Sequence, residues 1–191
     1  MNLIMPFDTE TTGIPDWKSP SAAEHPPHLV QLAALLVDPD SREITREMDV
    51  IVKPDGWEIP QETIDLHGIT MERAMDEGIP EIEALDMFLE MYRQCSLRVA
   101  HNTTFDNRMV RIALKRYYPD LIPDEEWKDK SRYYCTLFHY KKIMGGNKGH
   151  TLSEAYKHFT GKPLENAHTA MADARACLDI YWSIQDQIKA A

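Results

Sequence analysis

Basic residues are in deficit in this sequence. Lys and Arg number 21 against 31 Asp and Glu, and the formal net charge is −10 at pH 7. That balance excludes a broad, non-specific grip on a nucleic-acid duplex through a basic surface. It leaves room for a small nucleic-acid site, because bound divalent cations offset local acid and a partner protein can hold a long substrate. No run reaches eighteen apolar residues, so no membrane span is expected. The start, MNLIMPFDTE, lacks a basic leader, and its acids arrive too soon for a signal peptide. Cysteine is scarce. Cys95, Cys135 and Cys177 lie far apart, without the paired spacing of a metal site. They read as reduced, structural thiols, and a cytoplasmic location is expected. Internal repeats, low-complexity tracts and dividing linkers are also missing. Residues 1–191 are therefore expected to form one domain.

The sequence does have enough apolar residues for a core. With 43% hydrophobic and 27% charged residues, it can bury one, and global disorder is excluded. Residues 2–9 read as a strand on which Leu3, Met5 and Phe7 share one face, and Ile4, Asp8 and Glu10 the other. A loop rich in proline, 11–28, leads to the strand HLVQLAALLVD, 28–38. A DPD turn and a third strand ending by residue 53 complete a hairpin. Short helices follow over 61–68 and 71–77, stopped by Gly68 and Gly78. Pro80 starts a longer helix with an apolar stripe of Ile82, Leu85, Phe88, Leu89 and Tyr92. SLRVAHN reads as a strand and 105–118 as a helix. LIPDEEWKDK reads as a loop, SRYYCT as a short strand, and LFHYKKIM as a helix capped by Thr136. Further helices are expected from Thr151 to about Phe159 and from about His168 to Lys189. This order fits an α/β fold, a mixed sheet with helices on both faces.

The acids carry the functional signal. In helix 105–118, Asp106 stands on the core stripe with Met109, Val110, Ala113 and Tyr117, while Arg108, Arg111 and Lys115 lie opposite. In the last helix Asp173 shares the apolar face of Ala170, Cys177, Ile180 and Ile184. A buried, unpaired carboxylate costs several kcal/mol or takes a proton, unless it is a ligand or a cap. Capping is an alternative for Asp106, which is expected to begin its helix, and explains Asp173 poorly. Asp8 and Glu10 have the alternative of a solvated strand end, and His168 that of an ordinary polar residue at a helix start. Taken together, four acids from one strand and two helices suit hard divalent cations such as Mg²⁺ or Mn²⁺. Two such ions about 4 Å apart can serve phosphodiester hydrolysis, with a histidine to accept the proton of the attacking water. Zinc fits less well, since the set lacks thiolates.

Three segments carry a family resemblance. FDTETTG, 7–13, resembles the first exonuclease motif of the DEDD superfamily. HNTTFDNRM, 101–109, resembles the second, and HTAMADARA, 168–176, resembles the third in its histidine-bearing (DEDDh) subclass. The match runs from residue 3 to about 182 and resembles the proofreading 3′→5′ exonuclease (epsilon) subunit of bacterial DNA polymerase III and its stand-alone relatives. The resemblance implies a ribonuclease-H-like fold with a five-stranded sheet whose second strand is antiparallel. It implies that Asp8, Glu10, Asp106 and Asp173 hold two Mg²⁺ or Mn²⁺ ions and that His168 is the general base. The implied reaction releases nucleoside 5′-monophosphates from the 3′ end of mainly single-stranded DNA. Thr9, Thr11, Thr12, His67, Ile69, Asn102 and Phe105 are implied substrate contacts. Ile69 and Phe105 have core packing as an alternative, and Asn102 a bond to backbone.

Four departures qualify the resemblance. The loop IPDWKSPSAAEHPP is longer than in typical relatives and either borders the site or forms a surface Ω-loop. Cys135 replaces a usual acid before the TL pair. Lys148 and His150 are candidate phosphate contacts. No polymerase-binding tail follows the last helix, so polymerase association by that route is not expected, and monomer and dimer both stay open. Three other readings are an RNA-trimming exonuclease of the ribonuclease T or oligoribonuclease type, a non-catalytic nucleic-acid-binding protein, and a phosphohydrolase of small nucleotides.

Overall fold

The computed structural model describes residues 3–22, 27–145 and 150–190. Its sheet has the order β3-β2-β1-β4-β5, built from β1 (Leu3–Thr11), β2 (Leu29–Val37), β3 (Ile44–Ile51), β4 (Cys95–Ala100) and β5 (Tyr133–Cys135). The hairpin β2–β3 is antiparallel, as is β2 on β1, whereas β4 runs parallel to β1 and β5 parallel to β4. This is the mixed, ribonuclease-H-like arrangement expected from the sequence. β2 is buried along its whole length, as a run apolar but for Gln31 predicts for a strand covered on both faces.

Helices cover the two faces through residues of opposite parity. Leu3, Met5 and Phe7 of β1 join one core with α3 (Glu81–Tyr92) and α4 (Thr103–Tyr117). Ile4 joins a second core with Cys177, Leu178 and Tyr181 of α8 (Ala170–Ala190). The short helices α1 (Gln61–His67) and α2 (Met71–Glu77) pack beside β2 and β3 through Ile69 and Ala74. Gly68 ends α1 at φ 74°, a left-handed turn that favours glycine. A Cβ on Gly78 would meet the carbonyl oxygen of Ala74 at 2.2 Å, so only glycine fits there. Among the described residues no helix is long and apolar enough to cross a membrane.

Several expectations are corrected. The segment read as a loop after Pro119 contains α5 (Asp124–Trp127). This single turn is too short to show a period, and the buried Trp127 anchors it. Arg111, expected on the outer side of α4, is buried and pairs with Asp124, while Tyr117, expected inside, is 40% exposed. Ile82 is likewise exposed. In α6 (Thr136–Met144) the cap is Cys135, whose sulfur accepts from Phe138 N–H at 3.4 Å. Thr136 is the first helical residue, and its hydroxyl lies 3.0 Å from Nδ1 of His101. In α7 (Leu152–Thr160) Thr151 does cap the helix, in a reciprocal pair with Glu154.

Candidate metal centre

β1 lies at the middle of the sheet, so its carboxyl end faces the points where α4 and α8 begin. Alternation along the strand sorts the side chains. Thr9 follows Phe7 toward α4, and Asp8 and Glu10 follow Ile4 toward α8. Thr9 confirms the assignment, since its hydroxyl donates to Asp106 Oδ1 at 2.9 Å and its N–H to the same oxygen at 3.2 Å.

Asp106 and Asp173 occupy equivalent places, each the fourth residue of its helix. The first turn of a helix attracts negative charge, which lowers the cost of bringing both acids inward. Asp106 does not cap α4, whose cap position belongs to Asn102. α8 begins at Ala170 rather than at His168, so Asp173 sits in the first turn rather than one turn inside. Its Oδ2 accepts from the His168 N–H at 3.2 Å, a cap-like bond. Its Oδ1 is buried without a hydrogen-bond partner. Capping thus accounts for one oxygen of Asp173 and leaves the other available to a ligand.

Ligand atoms of Glu10, His168 and Asp173 lie within 4.8 Å of one another. This trio has two carboxylates and one imidazole, where the sequence suggested four carboxylates as ligands and a nearby histidine as proton acceptor. Asp8 and Asp106 stand outside that compact group but close enough to repel it. Burial raises the Asp8 carboxyl well above its usual value, and the charges of Asp106, Asp173 and Glu10 raise it further. Burial pushes Glu10 up to about 8, reinforced by Asp173 and Asp106. Burial also raises Asp106, against the lowering effect of its bonds from Thr9. Asp173 is raised by burial to about 6, opposed by the His168 N–H. Four acids raised by burial, with Asp8 and Glu10 raised further by their acidic neighbours and an orphaned oxygen on Asp173, form a site that a hard divalent cation would relieve.

The remaining expected contacts separate into two groups. His67 is buried, and its Nδ1 accepts from Ile69 N–H at 3.1 Å, which leaves a buried Nε2 without a partner. Burial lowers its pKa, as does the charge of His168. His67 and Ile69 line a cleft of about 410 Å³ together with Asn166 and Thr169, the latter next to His168 in the chain. Ile69 also belongs to a core cluster, as its packing alternative expected.

The threonines after Glu10 are engaged in holding the loop. Thr11 donates to the carbonyl of Gly13 at 2.9 Å, and Thr12 Oγ1 accepts from His28 N–H at 2.9 Å. Asn102 is exposed in left-handed backbone at φ 72°, without a side-chain cap bond, and Phe105 packs against the main core. His150 lends its carbonyl to His101 Nε2 at 3.2 Å, and Lys148 lies outside the described residues.

One residue was missed. Gln31 Oε1 accepts from Ala170 N–H at 3.1 Å, and its amide donates to Asp49 at 2.7 Å. It thereby fixes the start of α8 against the sheet. The available signal was a lone polar residue inside LVQLAALLV.

The family model described as Exonuclease matches residues 6–181. A DNA polymerase III PolC-type protein of Streptococcus suis is 31% identical over 170 residues, which cover 89% of this chain and 10% of that protein. The PolC-type protein of Thermotoga maritima is 25% identical over 188 residues, 96% of this chain and 12% of its own. The chain therefore spans about a tenth of the length of these curated relatives. Among solved structures, E. coli exonuclease I in complex with a dT13 oligonucleotide aligns over 100% of this chain and 43% of its own, with a TM-score of 0.70 and 18% identity. The nuclease domain of 3′hExo, described as a DEDDh family member bound to rAMP, aligns over 97% of this chain and 92% of its own. Its TM-score is 0.71 at 13% identity.

Proposed function

From the premise that the chain belongs to the exonuclease family, we propose that it is a divalent-metal-dependent 3′→5′ exonuclease acting mainly on single-stranded DNA. The observation that carries this reading is the orphaned Oδ1 of Asp173 beside Glu10 and His168, within a set of mutually repelling acids. The donors fit Mg²⁺ or Mn²⁺, because the set is oxygen-rich and contains no thiolate. Asp8, Glu10, Asp106 and Asp173 would hold two such ions. Bound there, they would supply Lewis-acid polarisation of the phosphodiester and lower the pKa of a nearby water.

The protein's own groups do the rest. Thr9 fixes one oxygen of Asp106, and the His168 N–H fixes one of Asp173, so each acid presents its other oxygen inward. His168 is exposed on the left-handed turn before α8, where its imidazole can accept a proton from water and return it to solvent. His67 and Ile69, which line the same cleft, would contact the terminal sugar and the base. Attack at the last phosphodiester would release a nucleoside 5′-monophosphate.

Residues 1–191 act in this reading as one exonuclease domain. The finer likeness, to the separate proofreading subunit, belongs to the same proposal. The PolC-type relatives support kinship of the exonuclease domain and leave the polymerase partner as a proposal. A cytoplasmic location is also proposed, and the free thiols of Cys95, Cys135 and Cys177 suit a reducing compartment. RNA is the second reading for the substrate, favoured by the likeness to 3′hExo with its bound rAMP.

Degradation of matched DNA and RNA oligonucleotides in Mn²⁺, Mg²⁺ or EDTA tests the proposal. Stepwise shortening from the 3′ end is expected with metal and not with EDTA, and not in Asp8→Ala or His168→Ala. Activity that survives EDTA would overturn the metal account, and a faster RNA ladder would reverse the substrate.

A further inference from the structure

The other flank of α4 carries a second concave site, formed with the loop that follows β1. Arg108 ties that loop down. Its Nη1 donates to Ser21 Oγ at 2.9 Å, and its Nη2 donates to the carbonyl oxygens of Ser19 and, at 3.4 Å, Asp16. Beneath the loop lies a cavity of about 230 Å³. Trp17, Trp127 and Tyr133 give it aromatic walls, and Arg108, Arg111 and Lys128 give it cations. Trp17 is 52% exposed, although large apolar side chains are usually drawn inward.

The cations in this cavity are incompletely satisfied. Arg111 is 3% exposed and pairs with Asp124 through Nη2, but its Nε and Nη1 are buried without hydrogen-bond partners. Nε of Arg108 is in the same condition. Asp124 is shared between Arg111, Lys115 and Lys128, so positive charge exceeds negative here in a chain whose net charge is −10. A buried guanidinium donor left unpaired is costly, and an anion is the partner that relieves it. An aromatic wall beside that anion site calls for a ligand that also carries a flat ring.

We propose that the cavity beneath Trp17 is a second nucleotide subsite, in which one base lies against the aromatic wall and its phosphate meets Arg111 and Arg108. Its volume falls below the roughly 300 Å³ at which pockets for drug-sized ligands begin, so it takes a single nucleotide unit. The subsite rests on the nuclease reading only for the source of its ligand. A strand whose 3′ end lies at the carboxylates would cross α4, about 10–12 Å wide, to leave an upstream nucleotide here. A free nucleoside monophosphate offers the same chemistry.

Tryptophan fluorescence in EDTA, where no hydrolysis is expected, tests the subsite with dT8 and thymidine 5′-monophosphate as probes. Wild type is compared with Trp17→Ala, which alters an exposed side chain, and with Arg108→Gln, which releases the loop. Both variants are first checked for cooperative thermal unfolding. If the source is the strand, each variant weakens dT8 about tenfold, as expected for one stacked base. If it is the free nucleotide, quenching by the monophosphate is lost in both variants and dT8 binding holds. Equal affinities of both probes for all three proteins would overturn the subsite. The oligonucleotide degradation assay judges the nuclease reading separately, so the two can fail independently.

Discussion

Two buried acids in this protein meet opposite fates. Glu81 is 5% exposed at the start of α3, and Arg116 Nη1 donates to both of its oxygens, at 2.8 and 2.7 Å. Asp173 is 8% exposed at the start of α8 and receives one backbone bond, with its second oxygen orphaned and three further acids nearby. Glu81 is compensated by the fold. Asp173 awaits compensation from outside it. Burial alone therefore does not mark a functional acid; the missing counter-charge does.

The largest effect expected from this contrast is on catalysis. Asp173→Asn keeps an acceptor for the His168 N–H and removes the charge. It should lower kcat by about 10³-fold, as losing several kcal/mol of metal-assisted stabilisation implies. Its melting temperature in EDTA should match or exceed that of wild type, because repulsion among the acids falls. A variant that unfolds instead would make Asp173 structural and erase the contrast. Glu81→Ala should do the reverse. Removing the carboxylate that faces Arg116 should cost about 3 kcal/mol in urea denaturation, and the molecules still folded should turn over at the wild-type rate.

Proton linkage gives a smaller and independent effect. The folded pKa values of Glu10, about 8, and Asp173, about 6, lie above the ordinary carboxyl values of 4.5 and 3.8. The folded state therefore binds more protons than the unfolded state between those values. The stability from these groups is complete below about pH 4. It is lost as pH rises through about 6 for Asp173 and about 8 for Glu10. Metal-free protein should melt at falling temperature across that window in a calorimetric pH series. Saturating Mn²⁺ should reverse the slope, because cation and proton compete for the same oxygens. At 100 times its dissociation constant Mn²⁺ should add about 2.7 kcal/mol, and Asp173→Asn should lose most of that gain.

The sequence was most legible where pattern and burial coincide. Period-two alternation put Asp8 and Glu10 on one face of β1, and the helical period put Asp106 and Asp173 on inward faces. It was least legible where a single long-range contact decides the outcome. Trp127 turns DEEW into a helix by packing under Arg98, whose guanidinium lies 4.0 Å from the indole ring and donates to its carbonyl at 2.7 Å. Neither residue signals the other along the chain. Arg111 was read as outward for the same reason, since its partner Asp124 lies in that turn. Gln31 shows the converse: it interrupts an apolar run visibly, but only the fold shows it bonded to the start of α8.

Thr9 gives the smallest expected effect and the sharpest test of how the acids are held. By its position the sequence made it a substrate contact. The structure gives its hydroxyl a second role, a bond to Asp106. Thr9→Val removes the 2.9 Å bond to Oδ1 and keeps the backbone N–H at 3.2 Å, so stability should fall by only about 1 kcal/mol. The lost bond is one that lowers the pKa of Asp106. That carboxyl should therefore hold its proton to higher pH, moving the alkaline rise of kcat upward and weakening Mn²⁺ binding several-fold. A residue that touched the nucleotide would behave differently: KM would rise while the metal midpoint and the pH profile stayed in place. Measuring both distinguishes a side chain that grips the substrate from one that positions an acid.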